Sequence, residues 1–212
     1  MKILSLSDTV IPFIYSPQVR HRFEGIDLII GCGDLAYDYL EYVLNALDVP
    51  LFFVRGNHDK TVEYSAEGQR TAPGGGFDLH CKAICHTGLL LAGVEGSLRY
   101  RPGHFQYSQL EMWVHVFRLV PRLLANRLVH GRYLDVFITH ASARGIHDMP
   151  DHAHRGINAF RWLVRIFQPA YHFHGHVHVY RPDMVTESLF GRTRVINTYG
   201  YRETVLHCQP NG

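Results

Sequence analysis

Residues of metal-ligand type follow five short apolar runs. Asp8 comes just after Ile3–Leu6, and Gly31-Cys32-Gly33-Asp34 follows Leu28–Ile30. Arg55-Gly56-Asn57-His58-Asp59 follows Leu51–Val54, His140 follows Val136–Thr139, and His174-Gly175-His176-Val177-His178 follows Tyr171–Phe173. Taken singly, Gly33-Asp34 reads as a turn and His140 as a hydrogen-bonded structural residue. His176 and His178 share one face of an alternating segment, which is more specific. Together Asp8, Asp34, Asn57, His58, His140, His176 and His178 offer oxygen and nitrogen donors with no thiolate, a set suited to Mn, Fe or Zn. Two such ions ~3.5–4 Å apart, bridged by one carboxylate, can clamp the attacking and leaving oxygens of a phosphoryl displacement.

Parallel strands deliver their C-terminal ends to one edge of a sheet, where open α/β folds bind ligands. The apolar runs are short and followed by Gly, Asp or Asn, as buried strands are. Between the second and third, Tyr39, Leu40, Val43, Leu44 and Leu47 recur at helical spacing, with Asp38 placed to cap the start. This β-α-β rhythm predicts a largely parallel sheet covered by helices. Ala83–Val94 reads as two strands split at Gly88. Ser108 and Glu111 have capping-box spacing before a helix that buries Leu110, Trp113, Val114 and Phe117 and is kinked or ended by Pro121. Ile157, Phe160, Leu163, Val164 and Phe167 form another helical stripe stopped by Pro169, and the tail from about Met184 is strand-like with a turn at Gly191-Arg192.

With 212 residues, 46% hydrophobic and 19% charged, the chain can bury a core as one domain. No apolar run approaches the ~20 residues of a membrane helix, and Met1–Asp8 reads as a strand rather than a leader, so a cytoplasmic location is expected. Net charge is +2, with no basic run longer than two, so a nucleic-acid partner is not favoured. Arg118, Arg122 and Arg127 read as a solvated face. Cys32, Cys81, Cys85 and Cys208 contain no CxxC pair and are expected to be buried, reduced thiols.

In order and type these residues resemble the calcineurin-like metallophosphoesterases. Gly33-Asp34 is similar to the family's GD element, Gly56-Asn57-His58-Asp59 to its GNHD, His140 to its isolated histidine and Gly175-His176-Val177-His178 to its GHxH. The resemblance implies a single domain over 1–212, an α/β four-layer αββα sandwich of two mixed β-sheets flanked by helices. It implies two divalent ions: Asp34 bridging, Asn57, His140 and His176 holding one, Asp8 and His178 the other. His58, oriented by Asp59, would assist the leaving oxygen while hydroxide generated on the metal pair attacks phosphorus in line.

One position departs from the family. Its D-x-H motif is here Asp8-Thr9-Val10, and valine has no donor atom. Water, or a group such as His21 or Tyr15, is expected to take the missing place, or else the ion there binds weakly. The segment from Arg144 to Gly156 is dense in charge and imidazole. It reads either as a substrate loop, with Arg144 or Arg155 pairing phosphate oxygens and His154 or Asp148 ordering them, or as a polar connection in which Asp151 caps the next helix. The expected activity is a phosphoesterase acting on a phosphate ester, a phosphodiesterase in preference to a phosphomonoesterase. The alternative is a metal-binding scaffold of the same fold with little or no catalysis.

Overall fold

The computed structural model describes residues 1–65 and 68–206. Its first half runs β1 (Lys2–Ser7), α1 (Val19–Arg22), β2 (Leu28–Gly31), α2 (Tyr37–Leu47), β3 (Leu51–Phe53), β4 (Glu63–Ser65), β5 (Gly68–Arg70), β6 (Gly76–Asp78), β7 (Lys82–His86) and β8 (Leu89–Val94). It continues with β9 (Ser97–Leu98), β10 (Gln106–Tyr107), α3 (Gln109–His130), β11 (Val136–Thr139), α4 (Asn158–Phe167), β12 (Tyr171–His174), β13 (Glu187–Phe190), β14 (Thr193–Asn197) and β15 (Gly200–Val205).

Two mixed sheets form, in the orders β15-β1-β2-β3-β6 and β13-β14-β12-β11-β8-β7. Central pairings are parallel, while β15, β7 and β13 pair antiparallel. Side-chain alternation makes the layers. Along β1, Ile3 joins Leu28, Ile30 and Phe52 in a core shared with Leu91, Ile138 and Phe173 of the other sheet. Leu4 and Leu6 point the opposite way, into a core with Val19 of α1 and Tyr39, Leu40 and Val43 of α2. Across the second sheet Leu90, Ala92 and Phe137 pack on Met112 and Val116 of α3 and on Phe160 and Leu163 of α4. The result is the four-layer αββα arrangement expected, the central strands β1, β2, β3, β8 and β11 being buried on both faces because both are covered.

Several local expectations are corrected. Ser108 does form a capping box with Glu111, but α3 buries Met112, Val116, Leu119 and Leu123, while Leu110, Val114 and Phe117 are exposed. Two apolar stripes run along this helix, and the sheet selects the other one; Trp113, between them, is partly buried. Pro121 does not end the helix, which continues to a Gly131 C-cap; burial of Leu119 and Leu123 on either side holds it. Asp38 is not the cap of α2, which is Ala36; its carboxylate instead accepts from Arg70. Cys32 is buried, but Cys81 is only partly buried and Cys85 is exposed; Cys208 lies outside the described residues. Among the described residues no helix is long and apolar enough to cross a membrane.

The helix-facing side of β12 carries imidazoles. His172 and His174 are fully buried. Thr139 Oγ1 donates to Ala141 O, so it accepts from His172 Nε2 at 2.8 Å. His174 Nδ1 donates to Gly175 O and its Nε2 accepts from His147, which accepts from Ser188. All three rings are thereby neutral, and burial pushes His172 down to about 3. A histidine whose folded pKa lies below its unfolded ~6.5 stabilises fully above ~6.5 and loses that contribution as pH falls towards the folded value. At pH 5 the loss for His172 is about 2 kcal/mol. Urea unfolding at pH 7.5 and 5 should therefore show a pH-dependent loss smaller by about that amount in His172→Asn than in wild type; equal losses would refute it.

Candidate metal centre

The C-terminal ends of β1, β2, β3, β11 and β12 meet at one rim. Each ligand turn is sharp: Asp8, Asp34 and His176 have φ of 67, 57 and 66°. Such backbone costs a non-glycine residue about 1 kcal/mol, and its repetition at three strand ends marks a built site. Crowding is equally tight. A Cβ on Gly56 would overlap the Asp34 carboxylate, and one on Gly175 would overlap Ser7 Oγ and Asp8.

Hydrogen bonding decides which atoms face inward. His140 Nδ1 lies 2.8 Å from the Cys32 carbonyl and so must carry a proton. Its Nε2 then points at Asn57 Oδ1, 3.0 Å away, and Asp34 Oδ2, 3.4 Å away. Asn57 Nδ2 donates to the Tyr100 hydroxyl, which fixes Oδ1 toward the interior. His176 Nε2 donates to Ala153 O at 2.9 Å, leaving the Nδ1 lone pair free. Donor atoms of Asp34, His140 and His176 lie within 4.8 Å of one another. Oxygens and lone-pair nitrogens thus converge with no hydrogen donor between them except a proton on His140. That is the arrangement a cation satisfies.

Electrostatics agree. Burial pushes the Asp8 carboxyl up. Burial and the neighbouring Asp34 push Asp59 up to about 7. Burial would raise Asp34 too, but His140 and the backbone amide of His58 hold it well below the carboxylate range. His140 is itself driven up to about 9 against burial by Asp34 and Asp8. Burial lowers His176 to about 3, so it is a neutral ligand. Three carboxyl groups crowd around one imidazolium, two of them pushed up by burial, and divalent ions would stabilise their charged forms. The residues fit the metals: Asp34, Asn57, His140 and His176 surround one position. Beside it stand Asp8, whose two oxygens accept from the His176 amide at 3.0 Å, and His178, whose Nε2 is 3.7 Å from Asp8.

Other expectations change. Asp59 does not orient the His58 ring. Its carboxylate accepts from the amides of Asp34, Leu35 and Gly56 at 2.7–3.0 Å, so it ties the two ligand loops together. The ring is met instead by Arg101, whose Nη2 lies 3.1 Å from Nδ1. Neither Arg101 nor Tyr100 carries a motif that would single it out in sequence. Val10 is exposed; Tyr15 packs edge-on against Tyr39 and Tyr42, and His21 is exposed on α1, so no contact brings either to Asp8. Tyr180 and Tyr199 flank His178.

In the 144–156 loop, Asp148 accepts from Arg144 and from the amides of Gly145 and Gly156. Asp151 does not cap α4; it accepts from Ala153 and His154. The α4 start is Ile157, and Gln109 of α3 accepts from the Asn158 amide. The His154 ring lies 5.0 Å from that of His176. Arg144, Arg155, Arg99 and His152 line a cavity of about 470 Å³.

A family model described as calcineurin-like phosphoesterase matches residues 1–180. Among solved structures, the TT1561 protein of Thermus thermophilus aligns at a TM-score of 0.62 with 16% identity, over 94% of this chain and 89% of that one. GAP50, the anchor in the inner membrane complex of Plasmodium, aligns at 0.52 with 14% identity, over 94% and 71%. These likenesses are of fold. No curated protein is significantly similar in sequence.

Proposed function

The chain belongs to the calcineurin-like phosphoesterase family, and from that premise we propose that it hydrolyses phosphodiesters with two divalent ions, Mn, Fe or Zn. The observation that carries this reading is that donor atoms of Asp34, His140 and His176 lie within 4.8 Å of one another and Asn57 Oδ1 lies 3.0 Å from His140 Nε2, with Asp8 and His178 beside them. Bound metals would polarise a phosphoryl oxygen and supply a nucleophile at neutral pH. The protein supplies the rest. A guanidinium only donates, so Arg101 holds His58 with its lone pair on Nδ1 and its proton on Nε2, the atom offered to the departing oxygen. Arg144, steadied by Asp148, and Arg155 pair with the substrate's phosphate oxygens. His58 is exposed at the rim, which leaves room for the second substituent of a diester.

The test is the rate ratio on bis-p-nitrophenyl phosphate against p-nitrophenyl phosphate with manganese. The diester is expected to react faster. Faster monoester hydrolysis would overturn the preference, and no hydrolysis of either would overturn the reading. Val10, with no protein donor brought to its place, favours the competing reading of a non-catalytic scaffold. Elemental analysis of manganese-loaded protein separates the two, since about two manganese ions per chain are expected of a catalyst and fewer of a scaffold.

A further inference from the structure

A second group of metal-ligand side chains meets where no family motif lies. His80 and Cys81 occupy the turn between β6 and β7, and His115 projects from α3 against them. One donor atom of each lies within 4.8 Å of the other two. His80 Nε2 is 3.3 Å from Cys81 Sγ, and the His80 and His115 rings stand perpendicular with centroids 4.7 Å apart.

Three observations set this group apart from ordinary packing. His115 is 9% exposed, and its buried Nδ1 has no hydrogen-bond partner among the described residues; a buried polar atom left unpaired is rare and costly. Cys81 holds φ 54°, a left-handed conformation that a side-chain-bearing residue adopts at a cost. Burial lowers both imidazoles to about 4, so both are neutral and able to ligate. Charge nearby is mixed, with Arg55, Arg118 and Lys82 set against Asp78 and Glu95.

We propose that His80, Cys81 and His115 form a metal site for one zinc ion, with water in the fourth position, that fastens α3 to the β6–β7 turn. Thiolate with two imidazoles is a zinc set. Binding releases the thiol proton; burial pushes the Cys81 thiol up, and the positive charge of Arg118 nearby works the other way, favouring the thiolate formed. The Glu95 amide now donates to His80 Nδ1 at 3.2 Å, which puts the ring proton on Nε2. Zinc takes Nε2, the proton moves to Nδ1, and Glu95 Oε1, now 3.6 Å away, closes on it to accept in place of the amide contact.

Cobalt(II) titration of the full chain tests this, because only a sulfur ligand gives a near-ultraviolet thiolate-to-cobalt charge-transfer band and the other centre has none. One equivalent should produce the band in wild type and in His176→Asn, and none should appear in Cys81→Ser. Zinc affinity at this site should fall by more than about a hundredfold in Cys81→Ser, the loss that even an outer partner of a metal ligand can cause. If that variant misfolds, His115→Gln replaces it: zinc should raise the melting temperature of wild type beyond that of the variant. A wild type without the band, or equal zinc effects in wild type and variant, overturns the proposal. An inactive protein that shows the band would leave this site standing and remove the phosphoesterase reading alone.

Discussion

Asp34→Asn is expected to lower phosphodiester hydrolysis by about a thousandfold and to empty the principal metal position. Asp34 is the carboxylate on which the site turns: Oδ1 accepts the His58 amide at 2.7 Å and Oδ2 faces His140 at 3.4 Å. An amide of the same shape preserves the turn but removes the charge that opposes His140 and that, on the proposed reading, would hold both ions. Metal ions contribute several kcal/mol of transition-state stabilisation, and about 4 kcal/mol is a thousandfold in rate. Activity and bound metal should fall together in assays and elemental analysis. Full activity with full metal content would show that the charge of Asp34 is dispensable.

His58→Asn should behave differently. The contact of residue 58 with Asp34 is made by its backbone amide, so the substitution leaves the ligand loop in place and metal content unchanged. What would be lost, on the proposed mechanism, is the proton on Nε2, and general acids are worth about a hundredfold to ten-thousandfold. The loss should be large for diesters with alkyl leaving groups and small for p-nitrophenolate, which departs without a proton. Equal losses on both substrates, or a drop in metal content, would assign His58 a positioning role instead.

Much of this was legible from short patterns. The short apolar runs and the polar residue after each depend only on neighbours in sequence, as does the box of Ser108 with Glu111. These led to a parallel sheet covered by helices and to the polar residues at its rim, while the second sheet of the sandwich was expected only from the family resemblance. The buried face of α3 was not legible, because the helix carries two apolar stripes and only the sheet beneath it chooses Met112 and Val116 over Val114 and Phe117. Asp59 sits next to His58 in sequence, yet its carboxylate closes on three amides from two loops, a tertiary contact no local pattern encodes. Arg101 reaches His58 across 43 positions. His80 and Cys81 meet His115 only because α3 packs on β7 and β8.

Anomalous diffraction from manganese-grown crystals of wild type and Asp34→Asn bears on the dinuclear centre more directly than any rate. Wild type should give two peaks ~3.5–4 Å apart, the stronger among Asp34, Asn57, His140 and His176 and the weaker by Asp8 and His178, where Val10 supplies no ligand. The variant should lose the stronger peak. No manganese between Asp34 and His176 in wild type, or an undiminished pair in the variant, would contradict the assignment.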